Sequence, residues 1–142
     1  MNKFYKYTIV MEEIKIIIEK STDYYDAYAE NCEGICGAGA TPEAAKKDAL
    51  KGLELFVNSR EKKDLPKILQ GEYTIVYKYD TQSFFNYYNK IFTNVGLERV
   101  TGINQKLLHH YSSGLKRPRE KQRKKIETAL HQLGNELLAM QL

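Results

Sequence analysis

The chain has no tryptophan, two cysteines and three prolines among its 142 residues. Two cysteines, Cys32 and Cys36, are too few for a disulfide scaffold. Their C-x3-C spacing has no second pair, and the nearest histidine is 73 positions away, so reduced thiols are expected rather than a metal site. Apolar runs such as Ile16-Ile17-Ile18 are far shorter than the roughly 18–20 residues of a membrane span. The opening Met1-Asn2-Lys3-Phe4-Tyr5-Lys6-Tyr7 lacks the apolar stretch of a secretory signal, which makes a cytoplasmic location the expectation. No Ser/His/Asp or Cys/His arrangement suggests nucleophilic catalysis. Gly37-Ala38-Gly39 is too short for a phosphate loop and lacks its Lys-Ser/Thr. The acids Glu19, Asp23, Asp26, Glu30 and Glu33 fall on strand ends and turns, where solvated carboxylates are usual, so a two-metal nuclease is not expected. The expectation is a protein that is not an enzyme and needs no metal or cofactor.

What the chain does have is tyrosine: 11 Tyr and 5 Phe, which suit strands and half-buried surfaces. Hydrophobic residues make up 42%, enough for a packed core. The net charge of +4 hides a division. Residues 1–80 hold 12 Lys/Arg and 14 Asp/Glu, whereas residues 81–142 hold 10 Lys/Arg and only 4 Asp/Glu, with all three histidines. An acidic first part and a basic second part point to two modules with different partners, the basic one suited to nucleic acid.

Hydrophobic periodicity agrees with that division. Residues 14–20 read as a strand with Ile14, Ile16 and Ile18 on one face. Tyr25–Asn31 reads as a second strand, after the Ser21-Thr22-Asp23 turn. Residues 35–40 read as a third, in which Gly37 and Gly39 share a face that something approaches closely. Thr41 caps a helix, Pro42 suits its first position, and Ala45, Ala49, Leu53 and Phe56 form its apolar stripe. Lys46, Lys47, Asp48, Lys51 and Glu54 are expected to face water. Tyr73, Ile75, Tyr77 and Tyr79 alternate with polar neighbours in a last strand, completing β-β-β-α-β. Residues 3–11 fit an added strand or a helix. From Asp80 the period becomes helical: Thr81 or Ser83 is the expected cap of a helix carrying Phe84, Phe85, Tyr88 and Phe92. The fold class expected is α+β, with a domain at 1–80 and an all-helical domain at 81–142.

Residues 97–114 carry the sharpest signal. A helix ending at Thr101 meets Gly102, which can turn left-handed. Ile103 fills the angle, and Asn104 caps a second helix. Leu108 and Tyr111 face inward, and Gln105, Lys106, His109 and His110 face out. This is the logic of a helix-turn-helix whose second helix enters the major groove. Gln105, Lys106, His109 and His110 are the candidate base contacts. Asn104, Ser113, Lys116, Arg117 and Arg119 are the candidate phosphate contacts. Ile126, Ala129, Leu130 and Leu133 complete a small helical core. The tail of Leu137, Leu138, Met140 and Leu142 either packs within the module or makes a subunit contact.

Residues 81–118, with the Gly102 turn and the Gly114-Leu115-Lys116-Arg117-Pro118 exit, resemble the Cro/phage-repressor type of helix-turn-helix. Glu98 stands where that family usually has a small alanine. Residues 14–80 resemble the HicB antitoxin domain, a truncated RNase H-like β-β-β-α-β fold. The residues that carry this likeness are Ile16-Ile17-Ile18-Glu19, Tyr28-Ala29, Glu33-Gly34, Gly37, the Gly39–Ala44 helix start and Leu50. Together the two resemblances span residues 14–118, about three-quarters of the chain. They imply an antitoxin that blocks a small, RNA-cleaving HicA-like toxin with its first domain and represses its own operator with its second. The acids Asp23, Asp26, Glu30 and Glu33 are the expected surface for the basic toxin. A homodimer is expected, because one such domain reads only a half-site. The contact would use the apolar tail or the edge of the tyrosine-rich sheet. The alternative is a stand-alone transcription regulator whose first domain senses a ligand or only dimerises.

Overall fold

The computed structural model describes residues 11–142. The reading of residues 3–11 as an added strand or helix falls almost wholly outside this range. The chain is mixed α+β, with a four-stranded sheet and five α-helices among the described residues. It divides into two compact units between Lys78 and Tyr79.

In the first unit, β1 (Glu12–Lys20), β2 (Tyr25–Ala29) and β3 (Cys36–Gly39) pair antiparallel in sequence. Helix α1 (Pro42–Asn58) then leads to β4 (Tyr73–Tyr79), and the sheet order is β3-β2-β1-β4. Strand alternation puts Ile14, Ile16 and Ile18 on one face, and all three have no exposed surface. Register places Ile16 opposite Ala29 and Ile18 opposite Ala27, so large side chains of β1 meet small ones of β2. Ala45, Ala49 and Leu53 bring the apolar stripe of α1 onto this face. Burying each isoleucine contributes about 1.5–3 kcal/mol. The other face carries Lys15, Glu19 and Asp26, which are exposed, and Ile17 and Tyr28, which are half-buried.

The helix comes this close because β3 has glycine where it passes. A Cβ on Gly37 would lie 2.2 Å from the backbone nitrogen of Ala49. One on Gly39 would lie 2.5 Å from the Ala44 Cβ. The α1 N-terminus is as expected: the Thr41 hydroxyl accepts from the Ala44 amide at 3.1 Å, with Pro42 at the first position. Asp48 reaches the edge strand and accepts from the Ala38 amide at 3.1 Å.

Several expectations change. The second strand stops at Ala29 rather than Asn31, because the Asn31 side chain takes over the pairing. Its Oδ1 accepts from the Lys15 amide at 3.0 Å, and its Nδ2 donates to the Glu13 carbonyl at 2.7 Å. Lys46 is half-buried rather than facing water, since its ammonium lies 4.6 Å from the centre of the Tyr77 ring. That is the usual behaviour of a long cationic side chain over an aromatic face.

The second unit holds α2 (Thr81–Tyr88), α3 (Asn94–Thr101), α4 (Gln105–Ser112) and α5 (Glu120–Leu138). The cap of α2 is neither Thr81 nor Ser83 but Asp80, whose carboxylate accepts from the Ser83 amide at 3.0 Å. Ser83 is inside the helix and buried. Phe92 lies beyond the end of α2 rather than on it, yet still packs against the core. That core is Phe85, Leu97, Ile103, Leu108, Tyr111 and Ile126, with Leu130 beside it.

Glycine substitutions should separate close approach from mere propensity. Gly37→Ala should destabilise the first unit by about 3 kcal/mol or more, because backbone must move. Gly134→Ala, in α5 with open space around its Cβ position, should stabilise the second by about 1 kcal/mol. Urea unfolding followed by circular dichroism reads both.

Candidate nucleic-acid interface

Helix α3 is capped by Thr93, whose hydroxyl accepts from the Gly96 amide at 3.1 Å. It ends where the Thr101 side chain turns inward. The Thr101 hydroxyl is buried; it donates to the Leu97 carbonyl at 2.6 Å and accepts from the Ile103 amide at 3.1 Å. Gly102 between them has φ +68°, the left-handed conformation that costs other residues roughly 1 kcal/mol or more. Its amide closes α3 on the Glu98 carbonyl at 2.7 Å. Ile103 then drops into the core at 3% exposure. Helix α4 starts at once, with the Asn104 Oδ1 accepting from the Lys106 amide at 2.8 Å.

Leu108 and Tyr111 anchor α4 in the core, as their three-residue spacing requires. Burial pushes the Tyr111 hydroxyl pKa up. Gln105, Lys106 and His109 are exposed. His110 corrects the expectation: it is half-buried, its Nδ1 enclosed with no hydrogen-bond partner among the described residues. One helical position past His109, it has rotated toward the core. The exposed face of α4 is therefore Gln105, Lys106 and His109.

The expected phosphate contacts divide. Lys116, Arg117 and Arg119 are exposed in the segment between α4 and α5. That segment is held by the Lys116 amide, which donates to the His110 carbonyl at 3.1 Å. Gly114, at φ +76°, makes the turn, with the Gln82 side chain against it. Asn104 is exposed but spends its side-chain oxygen on the cap, leaving its amide nitrogen for a ligand. The Ser113 hydroxyl is exposed and donates to the His110 carbonyl at 3.3 Å. Lys124 pairs with Glu120 one turn away at 2.9 Å, an ordinary surface pair.

Glu98 was legible only as a departure from the repressor pattern. It is half-buried on α3, and its Oε2 accepts from the Gln105 Nε2 at 2.5 Å. The pair spans the turn at a separation of seven residues and joins two helices, outside the three- and four-residue spacings that pair side chains on one helix.

In the first unit, Asp23, Asp26, Glu30 and Glu33 are all exposed. Asp23 and Glu33 sit in turns, and Asp26 lies on β2 directly across from Glu19. Glu30 meets Lys78 at 3.4 Å. Tyr28 lies between these acids. Its hydroxyl pKa is raised by burial first, then by its hydrogen bond to Glu19 and the charges of Glu19 and Glu30. Cys32 is buried, with its thiol pushed up by that burial, and Cys36 is exposed. Among the described residues, no group of three or more His, Cys, Asp or Glu is placed to hold a metal ion. No helix there is long and apolar enough to cross a membrane.

Compared with protein-family models, curated proteins and solved structures, the chain matches none.

The joint between α3 and α4 should be sensitive to one hydroxyl. Thr101→Val keeps the shape but strands the Ile103 amide in the core, an expected loss of about 1–3 kcal/mol in thermal or urea unfolding. Thr101→Ser should recover most of it.

Proposed function

We propose that the protein is an antitoxin of the HicB type. Its helical unit would bind operator DNA through a helix-turn-helix formed by α3 and α4. Its α/β unit would bind and block a small, basic HicA-like toxin. The observation that carries the reading is the exposed Gln105-Lys106-His109 face of α4, presented by a buried joint and followed immediately by Lys116, Arg117 and Arg119. Glutamine can bond adenine through two hydrogen bonds and lysine can bond guanine, each good pair giving about 1–3 kcal/mol of discrimination. The three cations after α4 supply the sequence-independent part by neutralising phosphates. Binding, not catalysis, is the proposed activity.

One such unit reads a half-site, so the active form is a homodimer. The second half of α5 and the tail favour this. Leu137 and Leu138 are 56% and 86% exposed, and Met140 is 60% exposed, although Ile126 on the same helix is buried. A second copy of this tail is a suitable cover, since both carry the same leucines.

For the toxin, support comes from the exposed acids on and around β2. Among the described residues Asp23, Asp26 and Glu33 make no ion pair, so they are free to steer a cationic partner.

Two experiments test the two halves. Gln105→Ala with Lys106→Ala should abolish preference for the operator in footprinting, with the fold intact. Replacing Lys116, Arg117 and Arg119 by alanine should instead weaken all sequences alike and flatten the salt slope by about one unit per lost contact. An unchanged footprint in the first variant sinks the α4 reading.

The full chain, co-expressed with the product of a neighbouring small gene, should relieve its toxicity. Asp23→Lys with Asp26→Lys should slow that association about ten-fold and leave DNA binding unaltered. A chain that represses yet binds no such product is the stand-alone regulator.

A further inference from the structure

The second unit carries only four acids against ten Lys/Arg, and one of the four, Glu98, hydrogen-bonds the first residue of the helix proposed to read DNA. Near phosphates an anion opposes binding to any sequence. Its position is therefore unfavourable for affinity, and what it could improve is selectivity. The chemistry of the contact shows how. A glutamine amide offers two N–H donors and one carbonyl acceptor, and its long side chain loses considerable rotational freedom when it binds. Glu98 Oε2 takes one Gln105 N–H. A carboxylate only accepts, so the amide can meet it through its nitrogen and not through its oxygen. The contact thus fixes which way the amide faces. It leaves Gln105 with its carbonyl oxygen and one N–H unbonded to any described residue, the acceptor–donor pair that matches N6 and N7 of adenine in the major groove.

We propose that Glu98 is a positioning residue for base readout: its carboxylate holds the Gln105 amide in the orientation that accepts an A·T pair, and its charge weakens binding to every other sequence. This rests on the assignment of α4 as the DNA-reading helix and adds a specific base-pair preference to it. The carboxylate also lies beside the start of α4, where negative charge suits the helix dipole, so the contact is compatible with a stable α4.

The test uses the full chain and four proteins: wild type, Gln105→Ala, Glu98→Ala and Glu98→Gln. Wild type selects an operator from random duplexes, and Gln105→Ala maps the base pair that Gln105 reads. Discrimination is the ratio of dissociation constants for that operator and for the duplex with the mapped pair changed. Glu98→Ala should lower this ratio about five- to ten-fold while binding unrelated duplex more tightly. Glu98→Gln keeps an acceptor without the charge. Its amide can also donate, so it no longer dictates which way the Gln105 amide faces: it should lose much of the discrimination as well, and bind unrelated duplex more tightly. In the DNA-free protein, the Gln105 side-chain NH2 signals should shift in Glu98→Ala, while the backbone amides of Leu108 and Tyr111 stay in place. Discrimination unchanged in Glu98→Ala, or fully retained in Glu98→Gln, overturns the positioning role even when Gln105→Ala abolishes the preference. Gln105 NH2 signals identical in wild type and Glu98→Ala overturn it without any DNA. A wild type that selects no sequence, or a preference that Gln105→Ala leaves intact, overturns the α4 assignment and this inference with it.

Discussion

The exposed face of α4 depends on how α3 hands over to it. Three consecutive residues make that joint, and each solves a different problem. Thr101 ends α3 by bonding back to Leu97 and forward to Ile103, so no backbone amide is stranded in the core. Gly102 takes the positive φ that a sharp reversal needs. Ile103 puts an apolar wedge where two helices diverge. Their order is fixed by geometry: the hydroxyl must precede the reversal and the wedge must follow it. With the joint set, Leu108 and Tyr111 determine the rotation of α4 about its axis, and that rotation decides which polar residues remain outside. His110 is the penalty of that choice, since the turn that exposes His109 draws its neighbour inward.

The first unit solves its packing problem differently. A single 17-residue helix must serve three antiparallel strands, and it does so through small residues rather than large ones. Alanines 45 and 49 on α1 meet Gly37 and Gly39 on β3, which lets the helix backbone approach closely and leaves β1 to supply the bulk with three isoleucines. The consequence is an asymmetric sheet. One face buries Ile14, Ile16 and Ile18 under α1, while the other keeps Glu19 and Asp26 exposed and Tyr28 half-buried. Glu19 directly opposite Asp26 is an unfavourable cross-strand pair, tolerated because the face is wet.

Elements set by periodicity were readable in the sequence. The alternation of Ile14, Ile16 and Ile18, the Thr41-Pro42 helix start and the Gly102 turn each express one local rule, and each is found in the structure. The close approach at Gly37 and Gly39 was readable too, because glycines two apart in a strand share a face. What sequence could not show depends on partners far along the chain. Asn31 ends β2 because its side chain meets β1, 16 and 18 residues away. Asp80 outcompetes Thr81 and Ser83 for the α2 cap because its extended backbone places the carboxylate over the Ser83 amide. Lys46 is drawn down by Tyr77, on a strand reached only after the connector. On the proposed DNA face, polarity marked Gln105, Lys106 and His109 correctly as exposed, whereas the half-buried His110 needed the actual rotation of α4. The bond from Glu98 to Gln105 needed the angle between two helices, which no spacing rule contains.

The distribution of charge and of uncovered apolar surface limits how the helical unit can work. Under the proposed function, its surplus of Lys/Arg attracts any nucleic acid, and that attraction carries no sequence information. Selectivity must then come from the few exposed residues of α4, and one helix of eight residues reaches only a short stretch of groove. A single copy would therefore bind weakly and read little. Helix α5 bears on this point. Its first half is secured by Ile126 and Leu130, yet it continues to Leu138 and leaves two leucines and Met140 to water. An apolar extension of that kind adds nothing to the core of its own unit. In the proposed dimer a second extension would cover it, and the same event would join two α4 helices into one reader. Under the proposed function, dimerisation and operator recognition are thus a single requirement: the residues that the unit leaves exposed are the ones that would double the sequence it can read.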